Sequence, residues 1–421
     1  MSLWSTIRKF GLGYCDLPTM LWNVSFMLRA LTLNIDSRYK KRIPLIFYII
    51  FALVAASYFY IYLISMAWFV FWHSRETGDL VAAMVVASLG ISSEIGTAKL
   101  IYMFLYRNKV RELVDMYLDC DALVKPGSRF ANNLTKTLRN VKKRAMIFWI
   151  VIMGNGVVYV LKPMLISGRH IMEDLFTPYG FDPVYESPNY EIVFLLMTAG
   201  VLFTCYLPAN ITAFLIIITG YTEGQMLALS KEMLNLWSDA QQFYLDHRTF
   251  DLDTTRPVVT LDSEQITKKK IVNEYVKKRL HEMIKIHTTN INLLNHVERV
   301  YRGAIAIEFG ILVLGLIFEL LGGLENTYLE VPFALMQVAM DCLTGQRVMD
   351  ASKAFEDAVY DCKWENFDVA NMKTILLMLQ NSQKTMRLSA GGVTTLSFSS
   401  LMMVFRSVYS AYTTLRTTMN K

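Results

Sequence analysis

Residues 393–415 read VTTLSFSSLMMVFRSVYSAYTTL, and the fold turns on whether this stretch crosses a membrane. It is long enough to do so, since a helix needs about 20 residues to span the hydrocarbon core. Its composition is unusual for a lipid-facing helix. Serine, threonine and tyrosine recur throughout, and Arg406 sits near the middle. A segment of this kind suits the interior of a helix bundle or the wall of a wet path, where hydroxyls and a charge can find partners. The residues before it, 341–392, are studded with charge as far as Arg387. The segment is therefore read as the last span of a bundle, reached from a polar region outside the bilayer.

The rest of the chain supplies the bundle. Of 421 residues, 53% are hydrophobic and only 19% charged, too few charges and too many unbroken apolar runs for a soluble domain of this size. The formal net charge of +6 matters through its placement. Basic residues are too scattered for nucleic-acid binding. The five cysteines show no metal or redox spacing. The six histidines form no HExxH-like pattern, and GxxxxGK, GxSxG and GxGxxG are absent. No enzyme, cofactor or metal is expected.

Taken in order, residues 1–43 hold no secretory h-region. Within them Met20, Leu21, Val24, Met27, Leu28, Leu31 and Ile35 recur near helical spacing. The pattern fits either an amphipathic helix at the membrane interface or a helix packed on the bundle. Residues 44–220 carry four apolar runs, at 44–72, 80–106, 145–166 and 191–220. The connection 107–144 is hydrophilic. The second run contains Glu94 and Lys99. Five positions are about 140° of helix rotation, so the two should not pair with each other. Lys99 is expected to snorkel to the interface, and Glu94 to find a partner on another span. Residues 167–190 are rich in proline and aromatics and read as an ordered, lid-like loop. Pro208 should kink the fourth span. Residues 221–302 carry helical stripes at both ends around a polar loop at 245–265, so the fourth and fifth spans should extend past the bilayer into a packed domain. Residues 303–349 hold the fifth run, 303–321, with Glu308 and Glu319, and a weaker sixth, 328–348, broken by Glu330 and Asp341. Residues 350–392 are a charged helix pair, and 393–421 the final span with a short tail.

Lysine and arginine crowd alternate connections. Arg29, Arg38, Lys40, Lys41 and Arg42 precede the first span. Arg107, Lys109, Arg111 and Lys142 to Arg144 follow the second, and Lys268 to Lys270 with Lys277 to Arg279 follow the fourth. The intervening connections hold only Arg75 and Arg169. This bias puts the N-terminus in the cytosol and, after seven spans, the C-terminus outside. The sequons at Asn23, Asn133 and Asn210 then lie in cytosolic or intramembrane positions.

The spacing of Cys342, Gly345, Ser352, Ala358, Tyr360 and Trp364, followed by Ala390-Gly391-Gly392, Leu396, Phe398 and the run Ser407 to Tyr412, resembles the signature of the insect odorant receptor family. The 167–190 loop also looks like that family's second outer loop, and the length and span layout match. The resemblance implies an all-α, seven-transmembrane-helix bundle with a cytoplasmic N-terminus, an extracellular C-terminus and a cytoplasmic helical anchor domain. It implies a subunit of a heteromeric, ligand-gated, non-selective cation channel in the plasma membrane of olfactory neurons. The partners implied are a small, volatile, apolar odorant and a co-receptor subunit in a heterotetramer within the lipid bilayer. The modest loop between spans four and five resembles the ligand-specific subunit rather than the co-receptor.

The family's pocket lies among the outer halves of spans two, three, four and six. Here these offer Met84, Val85, Ser88 and Leu89; Val157, Val158 and Leu161; Phe194, Met197, Thr198 and Val201; and Tyr328, Phe333 and Gln337. Mostly apolar and methionine-rich walls suit such a ligand. The family's pore is lined by span seven, for which Ser407, Tyr412, Leu415 and Thr418 are the candidates. A leucine ring can gate by dewetting. Arg406 is expected to pair inside the bundle or to snorkel. Other classes fit less well. A metabotropic seven-span receptor has its N-terminus outside, and no DRY- or NPxxY-like motif occurs. A secondary transporter should show repeat symmetry, and an enzyme clustered acids or histidines. A gustatory-type receptor channel shares the architecture and differs only in motif detail.

Overall fold

The computed structural model describes residues 7–38, 42–251 and 261–419. The basic pair Lys40-Lys41 and the centre of the polar loop around Arg256-Pro257 lie outside the described residues. Helix α1 (Leu17–Ala30) begins where the Asp16 carboxylate accepts the Thr19 amide at 2.9 Å, satisfying an N–H that the helix itself cannot. Leu17, Met20, Leu21, Val24 and Leu28 are all buried. The stripe is covered by the bundle, so the packed alternative is the one observed. The Tyr206 hydroxyl donates to the Met27 carbonyl at 2.9 Å and fastens the helix in place.

Helix α2 (Leu45–Thr77) contains two π-helical stretches, Phe59–Ser65 and Phe69–His73. Its first turns leave Leu45, Ile46, Ile49, Ile50 and Leu53 exposed, a face suited to lipid. Gly78, at φ 74°, makes the left-handed turn out of it. Asp79 then caps α3 (Leu80–Leu105) by accepting the Ala82 amide at 2.9 Å. The hydrophilic connection is itself helical. It holds α4 (Arg107–Ala122), which buries Val110, Leu113, Val114 and Tyr117, and the start of α5 (Arg129–Leu161).

Helix α6 (Asn189–Leu234) is the axis of the bundle: 89% of its apolar window is buried. An apolar surface all round has no lipid-facing side to spare. The helix continues through Pro208, and Gly96 of α3 backs onto that point. A Cβ on Gly96 would lie 2.8 Å from the proline Cδ. After α7 (Leu236–Asp251), helix α8 (Leu261–Gly322) runs back through the bundle, followed by α9 (Leu324–Thr327), α10 (Glu330–Tyr360) and α11 (Val369–Ser382). Outside the apolar zone these helices form a polar-bonded end. Arg129 reaches Glu232 at 2.8 Å, Arg279 reaches the same carboxylate at 2.8 Å, and Asn273 accepts the Asp368 amide at 2.8 Å.

A two-stranded antiparallel ribbon, β1 (Ser389–Ala390) with β2 (Thr394–Thr395), precedes α12 (Phe398–Met419). Two boundaries differ from the sequence reading. Helix α10 runs unbroken through 349/350, because Asp350 and its neighbours simply extend the amphipathic stripe that buries Val348, Ala351, Ser352 and Phe355. The last helix starts at Phe398 rather than 393, because Gly391 (φ 66°) and Gly392 (φ 80°) turn the chain into the ribbon first. Among the described residues, five helices could cross a membrane by length and composition: α2, α3, α5 with its following turn, α6 and α8.

Candidate functional site

Beneath the 167–188 loop the bundle encloses a cavity of about 40 Å³. Five helices wall it. Helix α2 gives Tyr62; α3 gives Leu89, Ser92 and Ser93; α5 gives Asn155 and Tyr159; α6 gives Val201, Thr204 and Cys205; α10 gives Glu330 and Phe333. Close packing defines its floor. Gly156 lies so near α6 that a Cβ there would come within 2.7 Å of the Cys205 sulfur. Asn155 donates to the Leu329 carbonyl at 2.8 Å and ties α5 to the start of α10. The Ser88 hydroxyl lies 2.6 Å from Glu330 and donates to it. The hydroxyls of Tyr62, Tyr159 and Thr204 make no hydrogen bond among the described residues.

The loop that covers this end is ordered and mostly non-helical. Ile171, Met172, Phe176 and Val184 are buried. Phe176 meets Phe69 edge-on, with centroids 5.7 Å apart, and Tyr179 meets Trp68 at 5.1 Å. Asp174 accepts the Ile171 amide at 2.9 Å and faces His170 Nδ1 at 2.7 Å, which raises the His170 pKa. Glu173 is buried in the same loop, and burial pushes its carboxyl up to about 7.

Of the fourteen expected pocket residues, Leu89, Val201 and Phe333 line the cavity. Ser88 touches it through Glu330. Val85 is buried against Gly322, Met84 is half-buried on α3, and Met197 is buried in α6. Gln337 is fully buried one turn along α10 from Phe333, its amide atoms without a partner among the described residues. The α5 choices were out of phase: Val157, Val158 and Leu161 are exposed, and Asn155, Gly156 and Tyr159 face inward. At about 100° per residue, a one-residue error turns a wall outward. Phe194 and Thr198 border a separate open groove with Met164 and Tyr190. Tyr328 is exposed, with Lys162 Nζ 5.3 Å from its ring centre. The residues missed are the polar ones, Tyr62, Ser92, Ser93, Asn155, Tyr159, Thr204 and Glu330. Their signal was available: a polar side chain within an apolar run belongs inside the bundle.

A second buried cluster lies deeper. Lys99 of α3 does not snorkel, because the interior supplies its countercharge. Its ammonium is 2.6 Å from Glu308 of α8 and 3.8 Å from Asp341 of α10, and it donates to Thr212 of α6 at 2.7 Å. The Glu308 contact is an ion pair without good hydrogen-bond direction. Glu94 is held elsewhere, by the Tyr58 hydroxyl at 2.8 Å, and Glu319 by Ser92 at 3.1 Å.

Part of the signature, Gly345, Ser352 and Gly391, meets at the root of α12. A Cβ on Gly345 of α10 would overlap the backbone of Leu396. Ser352 accepts the Met386 amide at 3.1 Å, Glu298 accepts the Ser389 amide at 2.9 Å, and Gly391 donates to the Arg302 carbonyl at 2.8 Å. Beyond this root, α12 packs on α8 and α10 along one side only. Among the pore candidates Ser407, Leu415 and Thr418 are exposed, and Tyr412 is half-buried and accepts from Arg416. Arg406 is also exposed on this chain, because the side of α12 that carries it is covered by neither α8 nor α10.

The pattern of the family described as 7tm Odorant receptor matches residues 79–409. Odorant receptor 67b of Drosophila melanogaster is 24% identical over 254 residues, covering 56% of this chain and 52% of the relative. Odorant receptor Or2 of Anopheles gambiae is 22% identical over 272 residues, covering 62% of this chain and 65% of the relative. The matched stretches thus span about half to two-thirds of those relatives. The insect olfactory receptor OR5 from Machilis hrabei, solved in complex with eugenol, superposes with a TM-score of 0.71 at 12% identity, covering 96% of this chain and 98% of that one. A second structure of that receptor gives 0.70 at 13% identity, covering 95% and 98%.

Proposed function

The chain belongs to the 7tm odorant receptor family, and from that premise we propose that it is the odorant-binding subunit of a ligand-gated, non-selective cation channel. It assembles with a shared co-receptor subunit as a heterotetramer in the plasma membrane, with its N-terminus in the cytosol. One observation carries the reading: α10 is common to both sites. Its first turn walls the cavity through Glu330 and Phe333, and further along, its Gly345 braces Leu396 at the root of α12.

The mechanism is a population shift. A ligand favours opening only by the difference in its affinity for the open and closed arrangements. A molecule seated against Phe333 and Glu330 biases the position of α10, and α10 carries the α12 root with it. Helix α12 is uncovered on most of its surface by its own chain, as expected of a segment that meets copies or partners around a shared axis. Leu415 serves there as the dewetting constriction, with Ser407, Tyr412 and Thr418 hydrating the ion on either side. The clustering of Arg107, Lys109, Lys142 and Lys143 at the end opposite the 167–188 loop supports the orientation.

The test is co-expression with a co-receptor and recording of currents across an odorant panel. Ligand-evoked, cation-carried current is expected. Its absence from a pair proven to be on the surface would overturn the assignment. A C-terminal tag should stain intact cells; staining only after permeabilisation would favour a metabotropic topology.

A further inference from the structure

Resting on the cavity as the ligand site, we propose that the ligand is a small neutral molecule carrying an acceptor oxygen, such as an alcohol, aldehyde, ketone or ester, and that hydrocarbons of the same shape are rejected. Three hydroxyls carry the argument. Tyr62, Tyr159 and Thr204 are 3%, 6% and 8% exposed, line one cavity of about 40 Å³ and have no hydrogen-bond partner among the described residues. They come from α2, α5 and α6, so they meet only at this cavity.

Tyr62 cannot turn away to find another acceptor. Its ring stacks on Tyr58 with centroids 5.4 Å apart, and it lies against Gly200, where a Cβ would come within 2.5 Å of the ring. Its ring is fixed in the cavity wall before any ligand arrives, which lowers the cost of binding. Each of the three groups has a proton to give. Water can accept it in the resting cavity, but a ligand that displaces water must reproduce those bonds or lose affinity. An oxygen with two lone pairs meets the demand, and a hydrocarbon cannot. The one ionisable carboxyl in the wall, Glu330, already takes the Ser88 hydroxyl at 2.6 Å. A carboxylate ligand would meet no cationic side chain among the described residues of the wall, and an unpaired buried charge is costly. The cavity's size favours small members of the class.

The experiment uses shape-matched pairs on the surface-expressed receptor and co-receptor: cyclohexanone with methylenecyclohexane, hexanal with 1-heptene, and hexanoic acid and hexylamine as charged comparators. The oxygenated member should act at concentrations about tenfold lower or better, since a site built for a hydrogen bond discriminates strongly against its loss. Tyr159→Phe and Tyr62→Phe keep the ring and remove the donor, and each should shrink the gap while surface expression holds. Equal potency within pairs, preference for the acid or amine, or an undiminished gap in both variants would overturn the proposal and leave the receptor reading intact. Silence to the whole panel would instead overturn the cavity as ligand site.

Discussion

Replacing Lys99 by methionine tests the buried ionic cluster most directly. The three side chains are 2%, 0% and 6% exposed for Lys99, Glu308 and Asp341, so solvent screens them little. Removing one member of a buried pair costs about 3–5 kcal/mol, mostly because the survivor keeps its desolvation penalty. Here two carboxylates survive beside each other, so the upper end, about 5 kcal/mol, is expected. Glu308→Gln should cost less, about 1–2 kcal/mol, because Lys99 retains Asp341 at 3.8 Å and Thr212 at 2.7 Å. Combining Lys99→Met with Glu308→Gln removes a stranded charge along with its cation, and the double variant should be more stable than Lys99→Met alone. Thermal unfolding of the detergent-extracted receptor, followed by size-exclusion of the folded fraction, ranks the variants. Wild type, then Glu308→Gln, then the double variant, then Lys99→Met is the expected order. A Lys99→Met protein that melts with wild type, or a double variant that loses the sum of the two singles, would refute the reasoning.

Three further outcomes follow from local geometry. Gly345→Ala forces a Cβ onto the Leu396 backbone and should cost about 1–3 kcal/mol and lower surface expression, whereas Gly310→Ala, which meets nothing within 4 Å, should leave both unchanged. Tyr58→Phe removes the 2.8 Å hydrogen bond to Glu94 and should destabilise by about 1–2 kcal/mol in the same melting assay. Burial holds the Glu173 carboxyl at about 7 against an ordinary 4.5, with Lys162 opposing the rise and Asp174 adding to it. The folded loop therefore holds a proton that the unfolded loop releases. Its stability is full below pH 4.5, falls as pH rises toward 7 and is lower by roughly 3 kcal/mol above that. Hydrogen exchange across residues 167–188, corrected for intrinsic rate, should quicken between pH 5 and pH 8, and Glu173→Gln should flatten the difference.

The apolar runs of α2, α3, α5, α6 and α8 were legible because lipid-length hydropathy is a long-range signal that no single residue spoils. Helix α10 was harder, since Glu330 and Asp341 lower its apolar average. In the fold both are buried, one taking the Ser88 hydroxyl and the other facing Lys99. Hydropathy counts each acid alone and has no access to a partner more than two hundred positions away. Lys99 was misplaced for the same reason. The cavity was legible at the level of helices, but α5 was rotated. Choosing valines and a leucine for an apolar ligand selected the lipid face, where Asn155 and Tyr159 were the inward-facing markers. Tyr62 was missed because the pocket was sought among spans two, three, four and six, although Tyr58 and Ser65, buried one turn to either side, mark the same inward face of α2.

The ribbon at Gly391-Gly392 leaves α12 as a cantilever. Rooted at Phe398, packed on α8 and α10 along one side and uncovered on the other, it is a rod roughly 33 Å long at ~1.5 Å per residue. A tilt of about 5° at the root would swing the Leu415 end by about 2 Å, comparable with the diameter of a small dehydrated cation. Sub-ångström adjustments near Gly345 thus arrive at the far tip already multiplied, and stiffness of the rod, rather than a chain of relayed contacts, sets the gain.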